Sequence, residues 1–105
     1  MEVYVPSTRG TEPLRTVVFE QYAQGVAAHL TRTFGGCTCL YGTGYWYRDK
    51  HKAIVAEQVA VLVTYCEDSQ ENRDKAMSVG SGVARRLNQE AVLVAFDSTP
   101  HFVEP

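Results

Sequence analysis

The clearest pattern in the sequence is an alternation of apolar and polar positions between residues 54 and 66, which predicts a long β-strand. Valine occupies most of the alternate positions in this run, and the residues at these positions share one face of the strand: Val55, Glu57, Val59, Val61, Val63 and Tyr65. The intervening residues form the opposite face: Gln58, Ala60, Leu62 and Thr64. We expect the valine-rich face, with Glu57 near one end, to cover the core and the face of Leu62 to remain uncovered.

A helical period precedes this strand. Apolar side chains recur every three or four residues and predict one buried stripe: Phe19, Tyr22, Val26, Leu30 and Phe34. We expect the helix to begin near Thr11, a capping residue, and Pro13, which suits a first helical turn. Gly35 is the expected left-handed stop. Gly25 lies mid-helix at a cost of about 1 kcal/mol against alanine, so it is expected to mark close packing.

A second helix follows the long strand. Asp68 and Glu71 have the spacing of a capping box and predict its start, and Asn88 is the expected C-cap. Its buried stripe has a helical period: Ala76, Val79 or Gly80, Val83 and Leu87.

Shorter apolar runs predict strands at residues 2–5, 37–40 and 91–96, and residues 97–105 are expected to be irregular or an edge segment. The order β-α-β-β-α-β predicts a single α+β domain over residues 1–105, a ferredoxin-like fold. Right-handed crossovers place both helices on one face of a four-stranded antiparallel sheet. The bare face is too apolar for water, so we expect a homo-oligomer; a monomer that tolerates a half-polar face is the alternative.

Composition excludes several classes of protein. The net charge is −2 over 105 residues with both signs mixed, so neither a nucleic-acid nor a membrane partner is expected. Three cysteines, an odd number, favour a cytoplasmic protein with reduced thiols. Cys37 and Cys39 are expected to be small core side chains. With Cys66 and His51 they lack the spacing of a zinc site, so no metal and no cofactor are expected.

The segment of residues 41–52, which joins the two central strands, carries a candidate ligand site. Its aromatic rings are suited to stacking a base or holding a cation: Tyr41, Tyr45, Trp46 and Tyr47. Gly42 and Gly44 allow backbone conformations closed to other residues and close approach of a ligand. The alternative is an extended hairpin whose aromatic side chains cover the ends of the helices.

Glu57 is the candidate anchor of this site. A carboxylate on a core-facing side is costly unless it is hydrogen-bonded, paired or bound to a ligand. The alternative is a rim residue that reaches solvent or pairs with Lys50 or Lys52. Gln89, just before the last strand, is a second ligand-binding candidate; alternatively it is a plain exposed helix terminus.

The runs AEQVAVLVTYCED and ARRLNQEAVLVAF resemble the phage-encoded S-adenosylmethionine lyases over residues 41–96. Those small proteins have a fold similar to the PII signalling proteins and form trimers with the ligand between subunits. The resemblance implies that Glu57 is the glutamate of the active site and that Gln89 is the glutamine preceding the last strand. It also implies a site tyrosine, Tyr45 or Tyr47, with Tyr47 as the catalytic candidate beside Glu57.

The resemblance further implies a unimolecular reaction. The carboxylate of S-adenosylmethionine attacks its own γ-carbon, which releases methylthioadenosine and leaves homoserine lactone. The protein then holds the substrate in a reactive geometry and excludes water. Two alternatives stay open: a non-catalytic protein that binds or sequesters a nucleotide-like metabolite, as PII-like regulators and phage anti-defence proteins do, or a protein-interaction module.

Overall fold

The computed structural model describes residues 1–96 and 99–105. Two helices are present in this part of the chain, α1 (Thr16–Phe34) and α2 (Gln70–Arg86). The strands are β1 (Glu2–Pro6), β2 (Thr8–Arg9), β3 (Glu12–Pro13), β4 (Thr38–Arg48), β5 (Ala53–Val63), β6 (Val92–Phe96) and β7 (Thr99–Val103). Five strands form one antiparallel sheet in the order β4-β5-β1-β6-β7, and β2 pairs with β3 in a small hairpin.

The chain is therefore a mixed α+β protein with a five-stranded sheet, where the sequence predicted four strands. The additional strand is β7, which pairs with β6 at the edge of the sheet. This confirms the expected edge segment for residues 99–103; positions 97 and 98 of that prediction lie outside the described residues.

The predicted assignment of the two faces of β5 is wrong. Ala60 and Leu62 are fully buried under the helices, and the buried Thr64 hydroxyl donates to the carbonyl oxygen of Gly36. The register explains why, because Leu62 and Ala60 lie opposite two fully buried valines of β1 and so share their face. The face of Val61 carries no helix in the described chain. We call it the open face.

The segment of residues 41–52 is an extended hairpin, the alternative that the sequence left open. The two strands pair without interruption from Thr38–Val63 to Arg48–Ala53, and only residues 49–52 turn. Aromatic residues at alternate positions favour this extended pairing. Neither Gly42 nor Gly44 has a positive φ, so neither uses the backbone conformations that are closed to other residues.

Helix α1 buries the predicted stripe, since Phe19 and Leu30 are buried in the core. The predicted stop is confirmed: Gly35 has φ 96°, and its N–H donates to the Thr31 carbonyl oxygen at 2.8 Å. The predicted start is wrong, because Pro13 belongs to β3 and the helix begins three residues later. Neither helix of the described chain is long and apolar enough to cross a membrane.

The start of α2 differs from the prediction by one residue. Ser69, not Asp68, is the N-cap and accepts a hydrogen bond from the Asn72 N–H at 3.1 Å. Asp68 instead forms an ion pair with Arg73 at 2.6 Å. At the other end the C-cap is Leu87 rather than the predicted Asn88, and Asn88 follows it with φ 50°, the left-handed conformation that ends a helix.

Close packing occurs at a different glycine from the one predicted. A Cβ on Gly25 would meet no atom within 4 Å, so the expected close contact is absent there. A Cβ on Gly80 would lie 2.8 Å from Val94 Cγ2, and this glycine lets α2 approach the sheet. Gly80 was one of two alternatives for the buried stripe of α2.

The cysteines match the prediction for small core side chains. Cys37 and Cys39 are partly buried and pack against the core. Together with Cys66 they are free thiols in the described chain.

Candidate functional site

A groove of about 950 Å³ lies on the open face, between the β4–β5 hairpin and the junction of α2 with β6. Ligand sites in proteins commonly have volumes of about 300–1,000 Å³. Its lining includes polar and aromatic side chains from four parts of the chain, among them Tyr4, Thr8, Trp46, Arg48, Glu57 and Gln89.

The strand register brings Glu57 into this groove. Gly44 lies directly opposite Glu57 on β4 and has no side chain to cover it. On the other side, Pro6 pairs with Val59 on the last rung between β1 and β5, and Thr8, which follows the bend at Ser7, lines the same groove as Glu57. Glu57 is half-buried, on the open face rather than on the predicted core-facing side.

Opposing effects act on the Glu57 carboxyl. Burial raises its pKa above the ordinary value, and this is the largest effect. The Ser7 backbone N–H, the Arg48 guanidinium and the Thr8 hydroxyl act in the opposite direction, because each stabilises the charged form. The acid is thus partly desolvated but surrounded by donors.

Trp46 is the aromatic residue of the hairpin that shares the open face with Glu57. Its partner on β5 is Val55, which lies two residues from Glu57 and therefore on the same face of the strand. The Arg48 guanidinium carbon lies 5.9 Å from the centre of the Trp46 ring, a cation–π distance. The ring beside Glu57 therefore already holds a cation.

The three tyrosines of the hairpin are on the opposite side of the sheet. Tyr41 packs its ring edge-on against Phe19 at 5.9 Å, which places it over α1. Tyr45 pairs with Ala56 and Tyr47 pairs with Ile54. Both partners lie an odd number of residues from Glu57 and therefore on the opposite face of β5. Tyr45 borders the groove, whereas Tyr47 does not line it. Within one chain, Glu57 and Tyr47 are not brought together.

Gln89 is neither exposed nor free. Its side-chain nitrogen Nε2 lies 3.0 Å from the Thr8 carbonyl oxygen and 3.1 Å from the Thr8 hydroxyl oxygen. It also lies 3.3 Å from the carbonyl oxygens of Gly10 and Leu87. The amide therefore ties the β2–β3 hairpin to the end of α2, where the sequence suggested a ligand contact or an exposed terminus.

Among the lining residues that the sequence analysis missed are Tyr4, Thr8 and Arg48. Tyr4 could have been found, because it alternates with the apolar Val3 and Val5 and must point to the other face of β1. Thr8 had no such signal, since its approach to Glu57 depends on the pairing of β1 with β5.

An apolar row crosses the open face. Leu40 pairs with Val61, Val61 pairs with Tyr4, and Leu93 pairs with Phe102. The β1–β6 register places Leu93 beside Tyr4, which makes the row continuous over all five strands. We call these five residues the open-face row; Leu40 is 54% exposed and Phe102 74% exposed.

Within residues 1–96 and 99–105, no three His, Cys, Asp or Glu side chains are grouped so that they could hold a metal ion. The groove contributes instead a carboxylate, a guanidinium and the ring of Trp46. This set can bind a polar, partly aromatic molecule.

A family model matches residues 3–102 of the sequence. The chain belongs to this family, DUF3574, described as protein of unknown function. No curated protein matches the DUF3574 chain.

Two solved structures share the fold of this DUF3574 protein. One is a phage SAM lyase in complex with S-methyl-5'-thioadenosine, with a TM-score of 0.72 and 16% identity over 99% of this chain and 87% of that chain. The other is a phage SAM lyase in the apo state, with a TM-score of 0.68 and 16% identity over 99% and 86% of the two chains. The resemblance to phage S-adenosylmethionine lyases is thereby confirmed at the level of the fold.

Proposed function

We propose that this protein binds an S-adenosylmethionine-type metabolite in the groove beside Glu57 and cleaves it to methylthioadenosine and homoserine lactone. The observation that carries the proposal is a half-buried carboxylate beside a cation-bearing tryptophan, both lining a groove of about 950 Å³. The fold shared with phage SAM lyases supports the choice of substrate.

The chemistry needs few protein groups. A carboxylate oxygen of the substrate forms a bond to the γ-carbon as the carbon–sulfur bond breaks, and the electron pair stays on sulfur. No proton is transferred, so the protein contributes mainly geometry and a dry site. Glu57 would orient a positively charged or hydroxyl group of the substrate, and Gly42 and Gly44 would leave room for the adenosine.

The Trp46 face is suited to the sulfonium. Arg48 already occupies this face at 5.9 Å, which supports a preference for positive charge there. A sulfonium centre that took this place would lie close to the Glu57 side of the groove. Arg48 would then be free to contact an anionic group of the ligand.

The proposed architecture is ferredoxin-like and PII-like, with β7 as an additional edge strand. The order β4-β5-β1-β6, with both helices over one face, supports this class. The open-face row supports a homo-oligomer, with a trimer preferred, because a continuous apolar row is unfavourable in water.

An oligomer would also account for the tyrosines of the hairpin. Tyr45 and Tyr47 are 70% and 57% exposed, beside Ile54 at 74%. We propose that this surface faces a neighbouring copy, so that a tyrosine from one chain completes the groove of another. Tyr45, Trp46 and Gln89 would then contribute to one inter-subunit cleft.

A second candidate is a non-catalytic protein that binds and sequesters the same class of metabolite. The separation of Tyr47 from Glu57 by the sheet favours it, since within one chain the groove lacks the second candidate catalytic group. A cytoplasmic location and independence of metals and cofactors stay predictions under either function.

Incubation of the purified protein with S-adenosylmethionine tests the proposal, with methylthioadenosine and homoserine lactone measured by chromatography. We expect both products, and a rate reduced about tenfold or more in Glu57→Gln, the loss of one hydrogen bond to a charged group. Glu104→Gln, a change of the same kind at an exposed residue, is the control. Binding of unaltered S-adenosylmethionine without turnover would favour the sequestering protein, and absence of both would refute the proposal.

A further inference from the structure

The groove has a wall formed by residues 7–13, which include the β2–β3 hairpin. We call this segment the groove wall. It rests on the end of α2 through a backbone hydrogen bond from the Gly10 N–H to the Leu87 carbonyl oxygen, at 2.7 Å. The Gln89 amide adds contacts to Thr8 and Gly10. These hydrogen bonds hold the wall against the end of α2.

Two left-handed residues make this contact possible. Asn88 has φ 50° and turns the chain as it leaves α2, which directs Gln89 towards the wall. Gly10 has φ 59°, and a Cβ there would lie 3.3 Å from the Asn88 side-chain nitrogen. A larger residue at position 10 would therefore be both strained and crowded.

The hydrogen bond to Thr8 Oγ1 has a chemical consequence. A hydroxyl has one proton to donate and two lone pairs to accept with. When the Gln89 N–H occupies a lone pair, at 3.1 Å, the Thr8 proton must point elsewhere. The Glu57 carboxyl is an acceptor nearby: both residues line the groove, and the Thr8 hydroxyl acts to lower the pKa of Glu57.

We propose that Gln89 is a positioning residue of the groove: by donating to Thr8 Oγ1 it directs the Thr8 proton to the Glu57 carboxylate and fixes the groove wall against α2. The inference rests on the proposed function only in treating Glu57 as the ligand anchor. It gives Gln89 a role different from a direct ligand contact, because all four close acceptors of Nε2 belong to the protein.

Other charged groups share this surrounding. Arg48 approaches Glu57 from β4 and favours its charged form. Glu90 lines the groove from the α2–β6 connection, and Tyr4 lines it from β1. These groups are unchanged in the variants below, so their effect on the titration midpoint of Glu57 is the same in every variant.

The test is a titration of the Glu57 side-chain carboxyl carbon by NMR in the ligand-free protein. We expect Thr8→Val and Gln89→Met each to raise the midpoint, because the charged form loses a directed donor. The double variant should raise it no further than Thr8→Val alone, since Gln89 acts through Thr8. Gln58→Met is the matched control, the same change next to Glu57 on the other face, and should keep the wild-type midpoint.

An unchanged midpoint in Gln89→Met would overturn the proposal. So would a rise caused by Gln89→Met that is as large in the Thr8→Val protein as in the wild type. If Gln89→Met does not fold, Thr8→Ser and Thr8→Val decide: the serine variant should keep the midpoint and the valine variant should raise it. Equal midpoints in that pair would also overturn the proposal.

Calorimetry with methylthioadenosine separates this inference from the proposed function. If the proposed function holds, Gln89→Met should bind methylthioadenosine more weakly than Gln58→Met does. If neither the wild type nor any variant binds, the proposed function fails while the NMR titration still decides the role of Gln89.

Discussion

Gln89 and Thr8 lie 81 positions apart in the sequence and are joined by two hydrogen bonds, at 3.0 and 3.1 Å. Through this pair the end of α2 holds the segment that faces Glu57. The surroundings of the one half-buried acid that lines the groove therefore depend on residues from the start, the middle and the last quarter of the chain.

The assembly of the protein should depend on the open face. We expect the wild type to sediment as an oligomer and Val61→Glu to lower its mass, because the charge falls in the middle of the open-face row. Gln24→Glu introduces the same charge at an exposed position of α1, away from both proposed subunit contacts, and should leave the mass unchanged. A monomeric wild type at micromolar concentration would contradict the prediction.

Leu62 should behave as a core residue when it is truncated. It is fully buried, as is Leu30, so Leu62→Ala and Leu30→Ala should each lower the free energy of unfolding by about 2–5 kcal/mol. Urea denaturation measures this loss. Val17→Ala, at a residue of α1 that is 55% exposed, is the control and should change stability by less than about 0.5 kcal/mol. A loss at Leu62 as small as that of the control would mean that the faces are assigned wrongly.

Alanine at two glycines of α2 should have opposite effects. Gly80→Ala should destabilise the protein by about 1–3 kcal/mol, because the new Cβ would stand 2.8 Å from Val94 Cγ2. Gly82→Ala should stabilise it by about 0.4–1 kcal/mol, since its Cβ meets no atom within 4 Å and alanine restricts the unfolded chain. Thermal unfolding compares the two, and a shift of the same sign in both would be the contrary result.

The capping of α2 gives a third stability test. Ser69→Ala should lower the free energy of unfolding by about 0.5–2 kcal/mol, because the Asn72 N–H loses its acceptor. Asp68→Ala should have a smaller effect, since its pair with Arg73 is exposed to solvent. A larger loss in Asp68→Ala would instead support the cap predicted from the sequence.

Glu57 should make stability depend on pH. Its folded pKa is raised from 4.5, so the folded state binds the proton more tightly than the unfolded state. Stability is therefore lost as pH rises from the unfolded value through the raised folded value. Glu57→Gln, which cannot ionise, should gain stability relative to the wild type as the pH rises above the unfolded value of 4.5.

Thermal unfolding of both proteins at pH values below and above this one measures the difference. Glu104→Gln controls for the loss of one carboxylate. If the difference in stability between wild type and Glu57→Gln does not change with pH, burial does not raise the pKa of this carboxyl in the folded protein.

Much of the architecture was contained in local patterns. The helical stripe around Phe19 and Leu30, the stop at Gly35 and the strand at residues 92–96 were all predicted within a few residues of their observed places. These features follow from periodicity and backbone conformation, which act over a few neighbouring residues.

The sequence also identified Glu57 and Trp46 as residues of one region, and both line the groove. It could not separate them from Tyr47. That separation follows from β4 being strand to its end, because alternate residues of a strand point to opposite faces.

The alternation in β5 determined which residues share a face, but only the tertiary structure decided which face the helices cover. A period of two is the same whether its odd or its even positions are buried. The choice was made by β1, whose buried Val3 and Val5 lie in register with Leu62 and Ala60. Because of this register, Glu57 lies in the groove on the open face rather than on the predicted core side. There Thr8 and Gln89, distant in the sequence, complete its surroundings.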